Sequence, residues 1–403
     1  MTSEWAARDF EADAVWAESG AQWLTSPGVA VPVRLVRSVA GLVHFLDERG
    51  AGLAALVGSR GVGALGERAA ALGLGPSGSI SCGGATRFVE ADDGWIAVSL
   101  ARPEDAESIH AWLGTAPRGD QWGTVRRRAR KRCTADIVGR AAELGIACSA
   151  LGEVVDRRPV LVEELGEATP RELGDLVVAN LSSLWAGPLA ADVLARLGMR
   201  VINVESTGRP DGARATPAFF EALHGRCESV ALPLHTQRGR SELAALLSAV
   251  DIVIEGSRPR ALEQMGIDAC ELVRSGPRIW VSITSHGRDA AHAHRIGFGD
   301  DTAAAGGLVG RPAGTPVFLS DAVADPITGL TAAAAVVELA ESGGRGLVDV
   351  ALARVASSMA SAAGDDVVMP RHAPAPPRVR SSSGRPLPLG RDTDAVLREF
   401  GVG

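Results

Sequence analysis

Two carboxylates four positions apart, Asp321 and Asp325, stand in "SDAVADPITGL" (320–330), just ahead of an alanine-rich run. Proline fits the first turn of a helix, so Pro326 predicts Asp325 at an N-cap, facing the positive end of the helix dipole. There it is either a plain cap or an ionised carboxylate able to attack a carbonyl carbon. Gly83 and Gly84 in "SCGGATR" permit the close backbone approach of a flap, or simply a tight turn before a strand. The segment "AGGLVG" (305–310) is open to the same two readings. Arg258 and Arg260 in "GSRPR" present guanidinium groups suited to phosphate, or to solvent. His286, His292 and His294 in "HGRDAAHAH" lack a cysteine or carboxylate at supporting spacing, so the stretch reads as a mobile loop and no metal is expected.

These residues need a scaffold. "DLVVANLS" (175–182) is a β-rich run, "LAADVLARLGMR" a helix ending at Gly198, and "VINVES" a second strand. Strand, turn, helix and strand form a βαβ unit with a right-handed crossover. "RGRSELAALLSAV" into "DIVIEG" repeats the helix–strand pattern, as does "ALEQMGIDACELVRSG" into "IWVSITS". The fold class is therefore α/β, with a Rossmann-like doubly wound parallel sheet in the large domain. Such a sheet binds ligands beyond the carboxyl ends of its strands. A dinucleotide site is disfavoured, because the turn reads "LWAGPLA" with one glycine, and Pro188 removes a donor.

Upstream, "RLVRSVAGLVHFLDER" (34–49) has helical apolar spacing, and "SISCGGATRFVEADDGWIAVSL" (79–100) reads as a hairpin. "TADIVGRAAELGIACSA" (134–150) reads as one helix. Residues 1–165 are thus expected to form a smaller α/β or α+β domain, 166–360 the large domain, and 361–403 an extended strap with a short final helix. The stretch 299–314 reads as a glycine-rich loop.

Composition narrows the function classes. A chain of 403 residues, 46% hydrophobic and 22% charged, suits a globular protein with room for two domains. A net charge of −7 argues against nucleic acid or a membrane surface as partner. The basic run "RRRARKR" (126–132) reads as a solvated helix face before an anion site. Five scattered cysteines without CxxC spacing suggest reduced thiols and no zinc framework. The acidic, amphipathic start "MTSEWAARDFEADAVW" is unlike a secretory leader, and no run of about 18 apolar residues stands out, so a cytoplasmic protein is expected.

The run "ANLSSLWAGPLAADVLARLGMRVINVES", followed by "ESVALPL", "DIVIEGSRPRALEQMGID", "PRIWVSITSHG" and "GLVDVALA", resembles the class III CoA-transferases. That family includes formyl-CoA and carnitine-CoA transferases and the α-methylacyl-CoA racemases. The resemblance covers roughly 175–360 and includes the closing "GRPLPLGRDTDAVLREFG". It implies an interlocked homodimer that moves CoA between carboxylic acids. The partners would be an acyl-CoA and an acceptor acid, with the thioester as substrate and no permanently bound cofactor. It places the catalytic aspartate at Asp325, in "ADPITGLTAA", and leaves Asp321 structural. It assigns Gly83 and Gly84 to a glycine loop covering the intermediates. CoA contacts would fall on Trp185, Ala186 and Gly187, with Arg258 or Arg260 meeting a phosphate. Where the family carries Lys-Arg before its "SVAL" strand, this chain has Cys227-Glu228, leaving Arg226 to compensate. The histidine of the racemase branch aligns with Phe298, which cannot accept a proton. The small domain, which usually follows the large one, is expected here at the N-terminus. The alternatives are a family member that binds CoA thioesters without catalysis and, further off, a racemase or a nicotinamide oxidoreductase.

Overall fold

The computed structural model describes residues 10–115, 120–257, 259–362, 365, 367–381 and 388–402. Two sheets organise it. Strands β1 (Thr86–Glu90), β2 (Trp95–Ser99) and β3 (Ala147–Ala150) form an antiparallel sheet in that order. The second sheet has seven strands: β4 (Val160–Glu167), β5 (Val177–Asn180), β6 (Arg200–Ser206), β7 (Glu228–Leu232), β8 (Ile252–Glu255), β9 (Ile279–Thr284) and β10 (Gly344–Ala351). Their spatial order is β4-β10-β9-β8-β5-β6-β7; β4 runs antiparallel to β10 and every other pair is parallel. The chain moves outward one way from β5 through β6 and β7, then returns to build β8, β9 and β10 on the other side. The switch point lies between β5 and β8, as a doubly wound sheet requires.

The parallel strands read "VVAN", "IVIE" and "IWVSIT" because both faces are covered. On one face, helices Gln237–Ala249 and Ala269–Ser275, with the last helix Thr393–Glu399, enclose a core of Leu243, Leu246, Val253, Val273, Trp280 and Val396. On the other lie helices Ala186–Arg196 and Ala324–Glu341. The second of these is buried along nearly its whole length, and its run of alanines lets neighbours approach closely. A Cβ at Gly329 would stand 2.5 Å from the Ala186 carbonyl oxygen, so this crossing needs glycine.

The N-terminal helices do not join the small sheet. Trp16, Leu35, Leu42, Phe45 and Leu65 share one core with Leu189, Ile327, Val336 and Val348 of the large unit. Strand β4, expected upstream of the large domain, pairs with β10 at the edge of the large sheet. Of the span 1–165, the part built around the small sheet is thus the segment from the hairpin to β3, under helices Pro103–Leu113, Gln121–Ala129 and Thr134–Glu143. The apolar face of Val33–Asp47 packs against Ala324–Glu341 in that core, and sequence periodicity does not say which surface a helix will choose.

Two local expectations also change. The stretch 134–150 is a helix only to Glu143; Gly145 turns at φ 66°, and β3 then pairs with β2. The opening of the glycine-rich stretch 299–314 is a helix, Gly299–Ala305, begun where the Asp301 carboxylate accepts the Phe298 N–H at 2.7 Å. The basic run lies in and just after Gln121–Ala129, with Arg126, Arg127 and Arg128 exposed, a solvated face.

The C-terminal segment crosses the N-terminal helices before reaching the far edge of the sheet. Val31 donates to the Val368 carbonyl at 2.7 Å, and Ala375 donates to that of Ala17 at 2.8 Å. Further on, the side chains of Asp392 and Thr393 accept the N–H groups of Ser229 and Ala231, at 2.9 and 3.0 Å. Those donors belong to the edge strand β7, so the segment covers an edge that would otherwise be open to pairing.

Candidate active site

The Ala324–Glu341 helix begins two residues earlier than Pro326 suggests, with Val323 as N-cap. Asp325 is therefore inside the first turn, not a cap. The loop that delivers it is strained: Ser320 and Ala322, on either side of Asp321, have φ of 52° and 43°. Left-handed non-glycine residues cost of order 1 kcal/mol each, and here the surroundings hold them. Ser320 N–H donates to Thr25 Oγ1 at 3.0 Å, its hydroxyl donates to the Leu65 carbonyl at 3.0 Å, and Ala322 N–H donates to Asp300 Oδ1 at 3.0 Å.

That loop gathers three carboxylates around one guanidinium. Arg68, in helix Glu67–Leu72, grips Asp321 through Nε at 3.0 Å and Nη2 at 2.5 Å. Asp321 and Asp300 are buried, while Asp325 keeps a partial opening. Burial pushes the Asp325 carboxyl up to about 7, against the pull of Arg68 and with the neighbouring charges of Asp300 and Asp321 adding to the rise. The nearby Gly299 N–H draws it down again, by less than the other influences. Asp300 is likewise pushed up to about 7, first by burial and then by Asp321. Burial raises Asp321 too, with Arg68 opposing. The helix dipole, worth about 0.3–1 kcal/mol at a helix end, is outweighed by desolvation and like charge. The expectation of a carboxylate held ionised by the dipole is corrected accordingly: near neutral pH this group is poised between its two forms.

The glycine loop lies against the same guanidinium. A Cβ at Gly83 would be 3.6 Å from Arg68 Nη2, and Gly84 turns at φ 77°, its N–H donating to the Ser81 carbonyl at 2.8 Å. The Ser81 side chain bonds Asp300. Trp185 meets Arg68 from another side, the guanidinium carbon 5.8 Å from its ring centre. Its indole is buried, edge-on to Phe219 at 5.4 Å, with Nε1 unpartnered. Ala186 and Gly187 open helix Ala186–Arg196, whose N-terminus no side chain caps. Gly187 is required there, since a Cβ would collide with Ser182 Oγ at 1.8 Å. Asp325, Gly83 and Trp185, drawn from three distant parts of the sequence, thus converge on Arg68.

Other candidates fall elsewhere. Arg226 is exposed in the turn after helix Pro217–His224, and Cys227 is buried. Glu228, where the resemblance led to the expectation of an arginine, is ion-paired with Arg200 at 2.8 Å, and Arg200 also holds Glu399 at 2.5 Å. That acidic replacement is neutralised within the protein. Arg258 lies outside the described residues, and Arg260 lies in helix Pro259–Glu263. Next to that helix a cleft of about 580 Å³ is lined by Ala142, Glu143, Leu144, Gly145, Ala261, Gln264 and His294. His286 is no part of a mobile loop. It is buried, with Nε2 3.2 Å from Ser149 Oγ and 3.5 Å from Glu153, and Nδ1 unpartnered. His292 pairs with Asp289 at 2.8 Å.

Sequence reading missed Arg68 and Asp300. "GDD" at 299–301 carried a legible signal, acidic residues opening a helix. Arg68, 253 positions from Asp321, carried none.

The family model described as CoA-transferase family III matches residues 173–387. A succinyl-CoA–D-citramalate CoA-transferase of Chloroflexus aurantiacus is 29% identical over 199 residues, 45% of this chain and 50% of that protein. A succinate–glutarate CoA-transferase of Agrobacterium fabrum is 31% identical over 209 residues, covering 46% and 52%. Among solved structures, the Rv3272 protein of Mycobacterium tuberculosis is 28% identical, covers 48% of this chain and 57% of its own, and superposes with a TM-score of 0.43. The chain spans about half the length of the curated relatives it matches. Arg68, Gly83 and Gly84 lie outside the matched segment; Trp185, Asp300, Asp321 and Asp325 lie inside it.

Proposed function

The chain belongs to CoA-transferase family III, and on that premise we propose that it moves CoA between carboxylic acids through a covalent intermediate on Asp325. One observation carries the reading: of the three aspartates set around Arg68, Asp325 is the residue that is not fully buried, and the Gly83 turn lies against the same guanidinium. The curated relatives described above are named as CoA-transferases of small dicarboxylic acids; the acid used by this chain is open.

The chemistry needs an ionised nucleophile and no net proton. An Asp325 oxygen attacks the thioester carbonyl; the C–S bond breaks and CoA leaves as thiolate, giving a mixed anhydride. The thiolate then attacks the aspartyl carbonyl, releasing the donor acid as carboxylate and leaving Asp325 as a thioester. An incoming carboxylate attacks that thioester, forming a new anhydride and freeing the thiolate again. Attack of the thiolate on the acyl carbonyl yields the new acyl-CoA and restores the Asp325 carboxylate. A carboxylate displaces a thiolate uphill, so binding of the CoA tail must lower part of the barrier. Backbone groups at Trp185, Ala186 and Gly187, at the carboxyl end of β5, are proposed for that tail. Arg226, Arg258 and Arg260 are proposed for its phosphates. The turn at Gly83 and Gly84 would shield the anhydride from water. A second copy of the chain is the proposed partner.

Racemisation is less well supported. Phe298 supplies only a backbone N–H, which Asp301 occupies. The test is intact-mass spectrometry of the purified chain after incubation with a panel of acyl-CoA thioesters. An acyl or CoA adduct that hydroxylamine removes, present in the parent and absent in Asp325→Ala, is the expected result. No adduct with any thioester, while CoA still binds, would transfer the assignment to a CoA-thioester-binding protein without catalysis.

A further inference from the structure

We propose that Arg68 is the positioning residue of this site, supplied by a helix outside the family-matched segment to keep Asp325 available as a carboxylate. The inference rests on Asp325 as nucleophile, but its central measurement does not. Its basis is geometric. Without Arg68, the matched segment would bring Asp300, Asp321 and Asp325 together with no cation against them. Arg68 closes on Asp321 with two hydrogen bonds, reaches Asp300 and Asp325 through its charge, lies under Gly83 and stands over Trp185.

Its own position is over-determined. The preceding residue, Glu67, is ion-paired with Arg380 of the C-terminal segment at 3.0 Å, and Arg380 also holds Asp192 of the Ala186–Arg196 helix at 2.7 Å. Arg196 joins Asp192 at 2.9 Å. Two adjacent residues of one short helix thus take different partners: Glu67 anchors the helix to Arg380, and Arg68 reaches Asp321. A residue that only clamped Asp321 would need no such placement beside the glycine turn and Trp185.

The charged and titratable groups around Asp325 among the described residues come from several elements. Asp300 and, behind it, Asp301 come from helix Gly299–Ala305, Asp321 from the strained loop, Arg68 from helix Glu67–Leu72, and Cys82 from the glycine turn. Cys82, its thiol raised to about 12 by burial, stays neutral at working pH and does not compete. The opposing cation in this set is Arg68. If it is lost, three carboxylates face one another, and the first response is proton uptake. If Asp321 is neutralised instead, Asp325 loses a like charge while Arg68 remains. The two changes must therefore move Asp325 in opposite directions, which a merely structural role would not do.

The experiment titrates the full chain labelled with [4-13C]aspartate, following the carboxyl resonances of Asp300, Asp321 and Asp325, each assigned by its Asn variant. In Arg68→Met the Asp325 midpoint is expected to rise by about one unit or more, and in Asp321→Asn to fall. Arg68→Lys, which keeps the charge, is expected to restore most of the parent midpoint and serves as the readout if Arg68→Met does not fold. Adduct formation should follow: in Arg68→Met at pH 7, about tenfold slower, with the rate recovering toward pH 9. Unmoved midpoints with a rate lost equally at every pH would overturn the proposal and leave Arg68 a structural clamp. The NMR midpoints are readable whether or not Asp325 forms an adduct, so failure of the transferase reading and failure of this one give different results.

Discussion

Replacing Arg380 with methionine tests how the C-terminal segment holds the molecule together. Its guanidinium and the carboxylates of Glu67 and Asp192 are each 1% exposed. Asp192 would keep Arg196, but among the described residues Glu67 would keep the residue-380 N–H, now 3.2 Å away, and the more distant charge of Arg196. Burial already raises the Glu67 carboxyl, with Arg380 the main opposing influence. Without that influence, Glu67 should take up a proton in the folded state and remain ionised when unfolded. Its ordinary value is 4.5, so holding the proton at pH 7 costs at most about 2.5 × 1.36, or about 3.4 kcal/mol. The sign follows from linkage. A carboxyl raised in the folded state binds more protons there, so stability falls as pH increases above 4.5. The loss in Arg380→Met relative to the parent should therefore grow by about 1.4 kcal/mol per pH unit, or about 2 kcal/mol between pH 6.5 and 8.0. Urea unfolding of the full chain at both pH values measures it, and Glu67→Gln in the same background should recover most of the loss. A loss that is independent of pH, or that Glu67→Gln leaves unchanged, would mean Glu67 is already neutral beside Arg380, and the charge argument would fail.

Asp325→Asn should stabilise the chain while abolishing the adduct. Asp325 is raised to about 7 from an ordinary 3.8, so its burden on stability builds up across that window and is full above pH 7. The variant should gain about 2–4 kcal/mol at pH 8 and much less at pH 5, read by thermal or urea unfolding. Gly329→Ala puts a Cβ 2.5 Å from the Ala186 carbonyl oxygen and 3.0 Å from Leu189 Cβ. A loss of about 1–3 kcal/mol is expected in urea unfolding, since neither neighbour can yield without moving a helix.

Much of the scaffold was legible because it is local. Apolar strands alternating with amphipathic helices from 175 onward imply a doubly wound sheet, and β5, β6, β8 and β9 lie where those runs placed them. The order of motifs proposed Asp325 and Trp185, each in a short segment with its own backbone demands, and the structure brings both near Arg68. The switch point between β5 and β8 came only with the strand pairing in the folded chain.

What local sequence could not carry were choices among distant surfaces and the electrostatics those choices created. The Val33–Asp47 helix advertises an apolar face without saying which core will take it, and it joined the large sheet's core. Asp325 looks like a capped, ionised carboxylate in its own segment, yet its charge depends on Asp300, Asp321 and Arg68. Arg68 stands 253 positions from the aspartate it grips. Desolvation and Coulomb terms act through space and depend on what surrounds a group. The chain's order therefore names the position of the proposed nucleophile, and folding sets its charge.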